Sequence, residues 1–225
     1  MKTIAFTVES GVGRLVLNQP PANGMTLEFF TEMADLVNEF RVMKGLRALV
    51  ISGQGRHFSS GAELDQLIGF LNSGSPDQEE ALAETKAFME QNIQTFRYFS
   101  ECTIPVIAAI RGVCLGSALE LALFCHFRFC GEDALFGLPE STYNLMPGIG
   151  GVSGVARIAG TAKAIELAIK GNTFDAEEAL ATGLVSRIVP KREVVSFAMN
   201  FAASLPSDYK KEKAPLYLKR ILANA

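Results

Sequence analysis

Two glutamates are the residues of this chain whose type and spacing best suit chemistry. Glu120 lies three residues after Ser117 in the series Ser-Ala-Leu-Glu-Leu-Ala-Leu, whose composition predicts a helix. Residues three apart share one face of a helix, so the Glu120 carboxylate should stand beside the amino end of this helix. Its apolar neighbours favour a buried or pocket-facing carboxylate over the solvent-facing position that a helical glutamate usually takes. Burial raises the pKa of a carboxyl group and makes it a candidate acid or base.

The turn before this helix is a candidate site for a developing negative charge. Residues 104–110 form an apolar, β-branched run that predicts a buried strand, and Arg111 with Gly112 ends it. The first N–H groups of the following helix have no partner within it and lie at the positive end of its dipole. If the turn is exposed, these N–H groups can stabilise a substrate oxygen that becomes negative.

A second carboxylate, Glu140, ends the segment Phe-Gly-Leu-Pro-Glu, whose glycine and proline predict a fixed loop rather than a regular element. The glycine turn of residues 147–151 follows and offers further free N–H groups. Two carboxylates and two amide-lined turns fit general acid–base chemistry at a carbonyl whose oxygen is stabilised.

Another turn, residues 53–62, is rich in glycine and serine and precedes a helix predicted at residues 63–71. Two interpretations are open for it. It is either a further helix start with free N–H groups or a plain loop that joins a strand to a helix.

Composition limits the classes of function. The chain has 225 residues, enough for one large domain with a sizeable core, and its net charge of −3 calls for neither nucleic acid nor an anionic membrane. The four cysteines include no C-x-x-C pair and there are only two histidines, so no metal site is expected. The first ten residues have no signal-peptide core and no apolar run reaches 18 residues, which predicts a cytoplasmic protein.

The order of the predicted elements indicates a layered α/β domain. Strands are predicted at residues 4–8 and 13–17, a helix capped by Thr26 extends to about residue 44, and a buried strand covers residues 46–52. Residues 71–77 are linker-like. The later predictions are helices at 77–100, 162–170 and 175–182, strands at 126–131 and 184–189, and two amphipathic helices within 193–225.

These segments, taken together and in order, resemble the crotonase superfamily, which includes the enoyl-CoA hydratases and isomerases. The resemblance runs from about residue 13 to about residue 220, nearly the whole chain. Its most specific motifs are residues 58–64, 104–110, 136–140, 147–151, and 176–180 with 183–185.

The resemblance implies a crotonase-like spiral of ββα units over residues 1–190. Residues 191–225 would then form the helical C-terminal trimerisation region, which is shorter here than is usual in the family. The implied assembly is a homotrimer or a dimer of trimers, hence a hexamer.

The resemblance also implies where the substrate binds. The amides of Ala62 and Ser117 would form an oxyanion hole around the carbonyl oxygen of a coenzyme A thioester. Ser60, Gly61 and Gly116 would complete the binding turns. The family more often has glycine at the positions of Ser117 and Ala118, so the serine is a departure, although any residue but proline keeps the amide.

Roles for the remaining residues follow from the same resemblance. Glu120 would be the base that orients water, Glu140 the proton donor to the α-carbon, and the Gly148 amide would help to hold the water. Arg56 would meet the coenzyme A phosphates, with a solvated surface arginine as the alternative.

Two further positions have a structural alternative. His126 stands where the family usually has aspartate and is interpreted as a structural residue. A stripe on the helix predicted at residues 77–100 would either line the acyl chain or pack on the core; it consists of Met89, Ile93 and Phe96.

The implied function is an enoyl-CoA hydratase, a lyase of fatty acid metabolism. It needs no separate cofactor, because coenzyme A is part of the substrate. Enoyl-CoA isomerisation, which needs one carboxylate, and acyl-CoA hydrolysis are the alternatives within the family. A non-catalytic acyl-CoA-binding protein is the alternative from another class.

Overall fold

The computed structural model describes residues 1–63 and 78–205, and two sheets form its frame. The six strands of the larger sheet lie in the order β1-β2-β3-β4-β6-β9. They are β1 (Ile4–Glu9), β2 (Val12–Leu17), β3 (Ala48–Gly53), β4 (Val106–Ile110), β6 (Phe127–Gly131) and β9 (Arg187–Val189). The first pair is antiparallel, and every other neighbouring pair is parallel.

The centre of this sheet is apolar because both of its faces are covered. Every residue of β3 and β4 is buried, as expected for parallel strands between two layers. Leu49 pairs with Val106 and Ile51 pairs with Ala108 in a register that aligns the carboxyl ends of the two strands. The turns that follow β3 and β4 therefore leave the sheet at the same edge.

A smaller sheet stands beside that edge. It consists of β5 (Val113–Leu115), β7 (Leu135–Gly137) and β8 (Thr173–Asp175), in the order β5-β7-β8. The chain runs β1-β2-helix at the start, and strand–strand–helix again from β4 through β5. The ββα repeat predicted for residues 1–190 is thus present in the described residues.

The helices surround both sheets. They are α1 (Leu27–Val42), α2 (Gln78–Glu101), α3 (Ser117–Leu123), a 3-10 helix (Pro139–Tyr143), α4 (Gly151–Ala159), α5 (Thr161–Lys170), α6 (Ala176–Ala181) and α7 (Val194–Ser204). Thr26 caps α1 as predicted, because its side chain accepts a hydrogen bond from the Phe29 amide. Asp175 caps α6 in the same way, accepting from the Glu178 amide.

Two apolar cores lie on opposite faces of the large sheet. The main core packs α1, α2 and α3 against it and includes Phe29, Met33 and Phe96. On the other face, α7 covers the sheet through an aromatic cluster in which the Phe129 ring meets Phe197 and Phe201, with centroids 5.1 Å apart in both pairs.

The structure corrects some of the sequence predictions. Glu140 lies in a short 3-10 helix and not in an irregular loop, because Pro139 is compatible with the first turn of a helix. The sequence pattern also missed β5, β7, β8 and α4. The remaining helices and strands are confirmed to within a few residues of their predicted ends.

Other predictions fall wholly or partly where the structure makes no description. The helix predicted at residues 63–71, the linker-like segment 71–77 and the second C-terminal helix lie outside the described residues. The division into residues 1–190 and 191–225 stays a prediction. Within residues 1–63 and 78–205, no helix is long and apolar enough to cross a membrane.

Candidate active site

Two turns are joined by backbone hydrogen bonds at the edge where β3 and β4 end. The Ser59 amide donates to the Val113 carbonyl at 3.1 Å, and the Leu115 amide donates back to the Ser59 carbonyl at 3.2 Å. These bonds hold the turn after β3 against the strand that leads into α3. The glycine-rich turn of residues 53–62 therefore lies beside the turn before α3, but the helix predicted after it falls outside the described residues, so both of its interpretations stay predictions.

Gly61 allows the two turns to touch. Its φ is +90°, and a Cβ at this position would lie 2.4 Å from the Leu115 carbonyl oxygen and 3.3 Å from the Ser117 nitrogen. A side chain would therefore force the backbones apart. Because the two turns approach so closely, the amide of Ala62, the residue after Gly61, lies near the amide of Ser117.

Both of these amides lack an acceptor among the described residues. Around Ala62, the Met25 amide donates to the Gly61 carbonyl and the Glu63 amide to the Met25 carbonyl. The Ala62 amide points away from that bridge, and Ser117 is the first residue of α3, so its amide has no acceptor within the helix. Neither amide donates to an acceptor in residues 1–63 or 78–205.

Glu120 is buried on α3, with 1% of its surface exposed. Its Oε1 accepts hydrogen bonds from the amides of Ile149 and Gly151, each at 2.8 Å. Burial raises the pKa of Glu120 to about 7. The Gly151 amide opposes that rise, the charge of Glu140 adds to it, and the Ile149 amide and the Ser117 hydroxyl lower the pKa again.

The glycine turn before α4 thus serves Glu120. Gly150 has a φ of +106°. The residues on either side of it, Ile149 and Gly151, both donate their amides to one oxygen of the Glu120 carboxylate. The sequence predicted free N–H groups in residues 147–151, but those of Ile149 and Gly151 are engaged by Glu120, and the role of the Gly148 amide stays a prediction. The available signal was the run Gly-Ile-Gly-Gly before an apolar helix, which marks a turn whose N–H groups converge.

Glu140 reaches the same place from the 3-10 helix. Its side chain lies against Gly116, where a Cβ would be 3.0 Å from Glu140 Oε1. Gly116 also has a φ of +53°, so both the space and the backbone favour glycine there. Glu140 Oε2 is buried and has no hydrogen-bond partner among the described residues, and burial raises the pKa of Glu140.

A cavity of about 610 Å³ opens over these groups. Its polar end is lined by Ser60, Ala62, Gly116, Ser117, Glu140 and Gly148. Its apolar side includes Phe30, Phe88, Met89, Leu145 and Met146. Glu120 is not among the residues of the described part that line this cavity.

The structure brings most of the predicted site residues together. The cavity is lined by six of them: Ser60, Ala62, Gly116, Ser117, Glu140 and Gly148. Gly61 lies where the two turns touch, and Glu120 accepts hydrogen bonds from the turn that contains Gly148. Arg56 is exposed and does not line the cavity. Its contact with coenzyme A phosphates stays a prediction.

The three residues of the predicted stripe on α2 have different surroundings, so each interpretation holds for part of the stripe. Met89 lines the cavity, whereas Phe96 is fully buried in the core and Ile93 packs against that core. His126 has a structural role, as predicted, because its Nδ1 accepts a hydrogen bond from the Val106 amide at 3.0 Å.

Sequence reasoning missed Arg128, a buried arginine that fixes α3 from its carboxyl end. Its Nη1 donates to the carbonyls of Ala122 (3.2 Å) and Cys125, and its Nε donates to Leu184 at 2.7 Å. A cation at a helix carboxyl end stabilises the free carbonyls and the dipole. The helix that presents Ser117 and Glu120 is therefore anchored at both ends.

Comparisons with solved structures show the class to which this fold belongs. An enoyl-CoA hydratase from Bacillus anthracis superposes with a TM-score of 0.84 at 28% identity, over 97% of this chain and 82% of that one. A Thermobifida fusca YX protein solved in complex with CoA gives a TM-score of 0.85 at 26% identity, over 99% of this chain and 85% of that one. The fold is the crotonase fold, as the sequence resemblance predicts.

Sequence comparison identifies the family. The family described as Enoyl-CoA hydratase/isomerase matches residues 7–220, and the chain belongs to it. A Bacillus subtilis (strain 168) protein named probable enoyl-CoA hydratase is 34% identical over 223 residues, which cover 99% of this chain and 81% of that protein. The fatty acid oxidation complex subunit alpha of Shewanella baltica (strain OS185) is 31% identical, and the matched region spans 29% of that longer subunit.

Proposed function

We propose that this protein is an enoyl-CoA hydratase, which adds water across the 2,3-double bond of an enoyl-CoA thioester. The observation that carries the proposal is the pair of carboxyl groups, Glu120 and Glu140, near two amides at a largely apolar cavity, neither of which has an acceptor in residues 1–63 or 78–205. Burial raises the pKa of Glu120 to about 7 and also raises the pKa of Glu140, so both carboxyl groups are candidate acids or bases.

The amides of Ala62 and Ser117 would bind the thioester carbonyl oxygen. Hydration of a conjugated thioester passes through an enolate, in which this oxygen carries negative charge. Amides that are fixed before the substrate arrives stabilise that charge without reorganising, and the dipole of α3 adds to the effect. The hydrogen bonds around Gly61 keep both amides in place.

The two glutamates would divide the proton transfers between them. Glu140 would give a proton to the α-carbon, while Glu120 would accept a proton as water adds to the β-carbon. The charge of Glu140 favours the protonated form of Glu120. The Gly148 amide, at the cavity wall, would help to hold the water.

Binding of the substrate needs no separate cofactor, because coenzyme A is the carrier of the acyl group. The CoA complex of the Thermobifida fusca relative supports coenzyme A as the ligand of this chain, and Arg56 is the residue that we assign to its phosphates. The apolar wall of Phe30, Phe88 and Met89 would receive the acyl chain. A homotrimer or a dimer of trimers is the assembly that we propose, with residues 191–225 as the trimerisation region.

The test is the loss of conjugated enoyl-thioester absorbance with a panel of linear and cyclic enoyl-CoAs. We expect a hydroxyacyl-CoA product, and a fall in turnover of about 10²-fold or more for both Glu120→Gln and Glu140→Gln. Glu132→Gln, which changes an exposed carboxylate on another turn, is the matched control. Near-normal turnover of either variant would contradict the role given to that glutamate.

Isomerisation of an enoyl-CoA is the second candidate, and one observation favours it. Glu140 lines the cavity, whereas Glu120 does not, and a double-bond shift needs only one carboxylate. An isomerase would produce conjugated absorbance from a 3-enoyl-CoA and leave 2-enoyl-CoAs unhydrated. Hydrolysis would release free coenzyme A, and a non-catalytic protein would bind the thioesters without turning them over.

A further inference from the structure

The turn that carries Ala62 is held by a side chain from an earlier part of the chain, Asn23. Asn23 lies between β2 and α1, and 2% of its surface is exposed. Its Nδ2 donates to the carbonyls of Gln54 and His57, each at 2.9 Å, and to that of Phe58 at 3.2 Å. An amide NH2 group has two protons, so the three carbonyls share them. One side chain therefore holds the beginning and the middle of this turn.

The backbone of Asn23 holds the end of the same turn through a buried serine. Ser59 is fully buried, and its hydroxyl donates to the Asn23 carbonyl at 2.6 Å. The oxygen of this hydroxyl accepts a hydrogen bond from the Gly61 amide at 3.0 Å. The series of hydrogen bonds that begins at Asn23 thus ends one residue before Ala62.

The conformation of Asn23 suits this double contact. Its φ is +53°, in the left-handed region that asparagine adopts more readily than most residues. Its Oδ1 also accepts from the Gln19 amide at 3.0 Å, which fixes the side chain on its own loop. The side-chain amide and the backbone carbonyl of one residue can therefore both contact the turn after β3.

The other side of this turn is bonded to the segment that leads to α3. The Phe58 amide donates to the Arg111 carbonyl at 2.7 Å, and the backbone bonds between Ser59 and β5 continue this contact. Asn23 and the segment of β5 hold the turn from two sides. A change in either contact would move the Ala62 amide relative to the start of α3.

We propose that Asn23 and Ser59 are positioning residues for the oxyanion hole, which hold the Ala62 amide where the thioester oxygen becomes negative. This inference rests on the proposed function, in which that oxygen binds between the Ala62 and Ser117 amides. An amide stabilises the enolate best if its direction is fixed before the substrate arrives. Neither of the two positioning residues lines the cavity, so each acts through the turn.

The first experiment compares the kinetics of Ser59→Ala with those of the unchanged protein. Alanine leaves the Gly61 amide and the Asn23 carbonyl without their partner, so the Ala62 amide should lose its fixed direction. Loss of a whole oxyanion-hole donor lowers kcat by about 10²- to 10³-fold, and a loosened donor should lower the kcat of hydration less, by about 10-fold. The KM should stay nearly unchanged, because the lost stabilisation is greatest in the transition state.

The carbonyl stretch of a bound thioester tests the same amide without any reaction. A saturated acyl-CoA with carbon-13 at its thioester carbonyl cannot be hydrated, and infrared difference spectroscopy gives the stretching frequency of the bound form. Hydrogen bonds to the carbonyl oxygen lower this frequency. At saturating ligand, the frequency should therefore be higher in Ser59→Ala than in the unchanged protein.

Ser52→Ala is the matched control for this variant. Ser52 lies on β3 and is as buried as Ser59, but its hydroxyl has no hydrogen-bond partner in residues 1–63 or 78–205. Its removal should leave both the kcat and the carbonyl frequency unchanged.

Asn23→Gly tests the other positioning residue. Glycine adopts the positive φ without strain, so this variant removes the side-chain bonds alone. It should lower kcat and raise the carbonyl frequency in the same way as Ser59→Ala. Ser10→Gly is its control, because Ser10 also has a positive φ (+50°) but is exposed and lies near the start of β3 instead of its end.

Hydrogen exchange of the unchanged protein, resolved by residue with NMR, needs no substitution. The Gly61 amide should be protected in the free protein because it is bonded to Ser59 Oγ. The Ala62 amide should gain protection only when the saturated acyl-CoA is bound. An unprotected Gly61 amide would overturn the positioning role of Ser59.

The possible results separate the positioning role from the proposed function. An unchanged kcat or an unchanged carbonyl frequency in either folded variant would overturn the positioning role while hydration by the unchanged protein stands. A loss of kcat that Ser52→Ala shares would also overturn it, because it would indicate general damage to the core. If no enoyl-CoA is hydrated but the variants raise the carbonyl frequency, hydration is overturned and the positioning role stands; if no acyl-CoA binds, both are overturned.

Discussion

The carboxyl group of Glu120 should make the stability of the protein depend on pH in a way that one substitution removes. Its pKa in the folded protein is about 7, against an ordinary value of 4.5. At about 1.4 kcal/mol per pH unit, this difference means that folding disfavours the ionised group by about 3 kcal/mol. Because the folded state binds the proton more strongly, this cost grows as the pH rises from about 4.5 to about 7 and is constant above.

Glu120→Gln removes the cost without removing the hydrogen bonds. Glutamine cannot ionise, and its amide oxygen can still accept from Ile149 and Gly151. We therefore expect the free energy of unfolding of this variant, relative to the unchanged protein, to be about 2 to 3 kcal/mol more favourable at pH 8 than at pH 5. The same variant should be a poor hydratase, so activity and stability move in opposite directions.

Urea unfolding at pH 5 and pH 8, at one fixed protein concentration, measures this difference. Glu132→Gln is the control, since its exposed carboxylate lies away from the cavity. A relative stability of Glu120→Gln that is the same at both pH values would refute the reasoning. It would show that Glu120 does not titrate between them in the folded protein.

Three further predictions concern the parts that support the site. In urea unfolding, Gly61→Ala should destabilise the protein by at least about 1 kcal/mol more than Gly45→Ala. Both glycines have positive φ, but a Cβ at Gly61 would meet the Leu115 backbone, whereas no atom lies within 4 Å of a Cβ at Gly45. Equal losses of stability in the two variants would contradict this. Gly148→Ala places a methyl group 2.0 Å from Met89 Cε, so it should raise the KM for an enoyl-CoA. In a double-mutant cycle, adding Met89→Ala should recover about 1 kcal/mol of the lost substrate-binding free energy. Additive effects of the two substitutions would show that the two groups do not meet. Arg128→Met should lower the free energy of unfolding by about 2 to 4 kcal/mol, because it leaves buried carbonyls without a donor, and calorimetry that shows an unchanged Tm would contradict the anchoring role.

Much of the frame could be predicted because its signals are local. The buried strands β3 and β4 are continuous apolar runs. The Thr26 cap and apolar residues at helical spacing predict α1. The strands β5, β7 and β8 have three residues each, which is too short for a periodic pattern, and they form only because tertiary contacts pair them.

The types of chemical group in the candidate site could be predicted from the sequence, but the contacts that position those groups could not. Residue types and turns indicated two carboxylates and two amides, and the family resemblance ordered them. The bonds from Ile149 and Gly151 to Glu120 join residues 29 and 31 positions apart, and no local pattern encodes such contacts. The same holds for Arg128, since alternation in its strand does not tell which carbonyls a buried arginine reaches.

Isotope incorporation during turnover tests the central claim most directly. The protein would be mixed with a 2-enoyl-CoA in deuterium oxide enriched in oxygen-18, and the product analysed by mass spectrometry and NMR. Hydration through an enolate predicts one deuterium at the α-carbon and one oxygen-18 at the β-carbon, with the thioester intact. Deuterium without oxygen-18 and with a shifted double bond, or oxygen-18 in a free carboxylate, would contradict hydration and indicate an isomerase or a hydrolase instead.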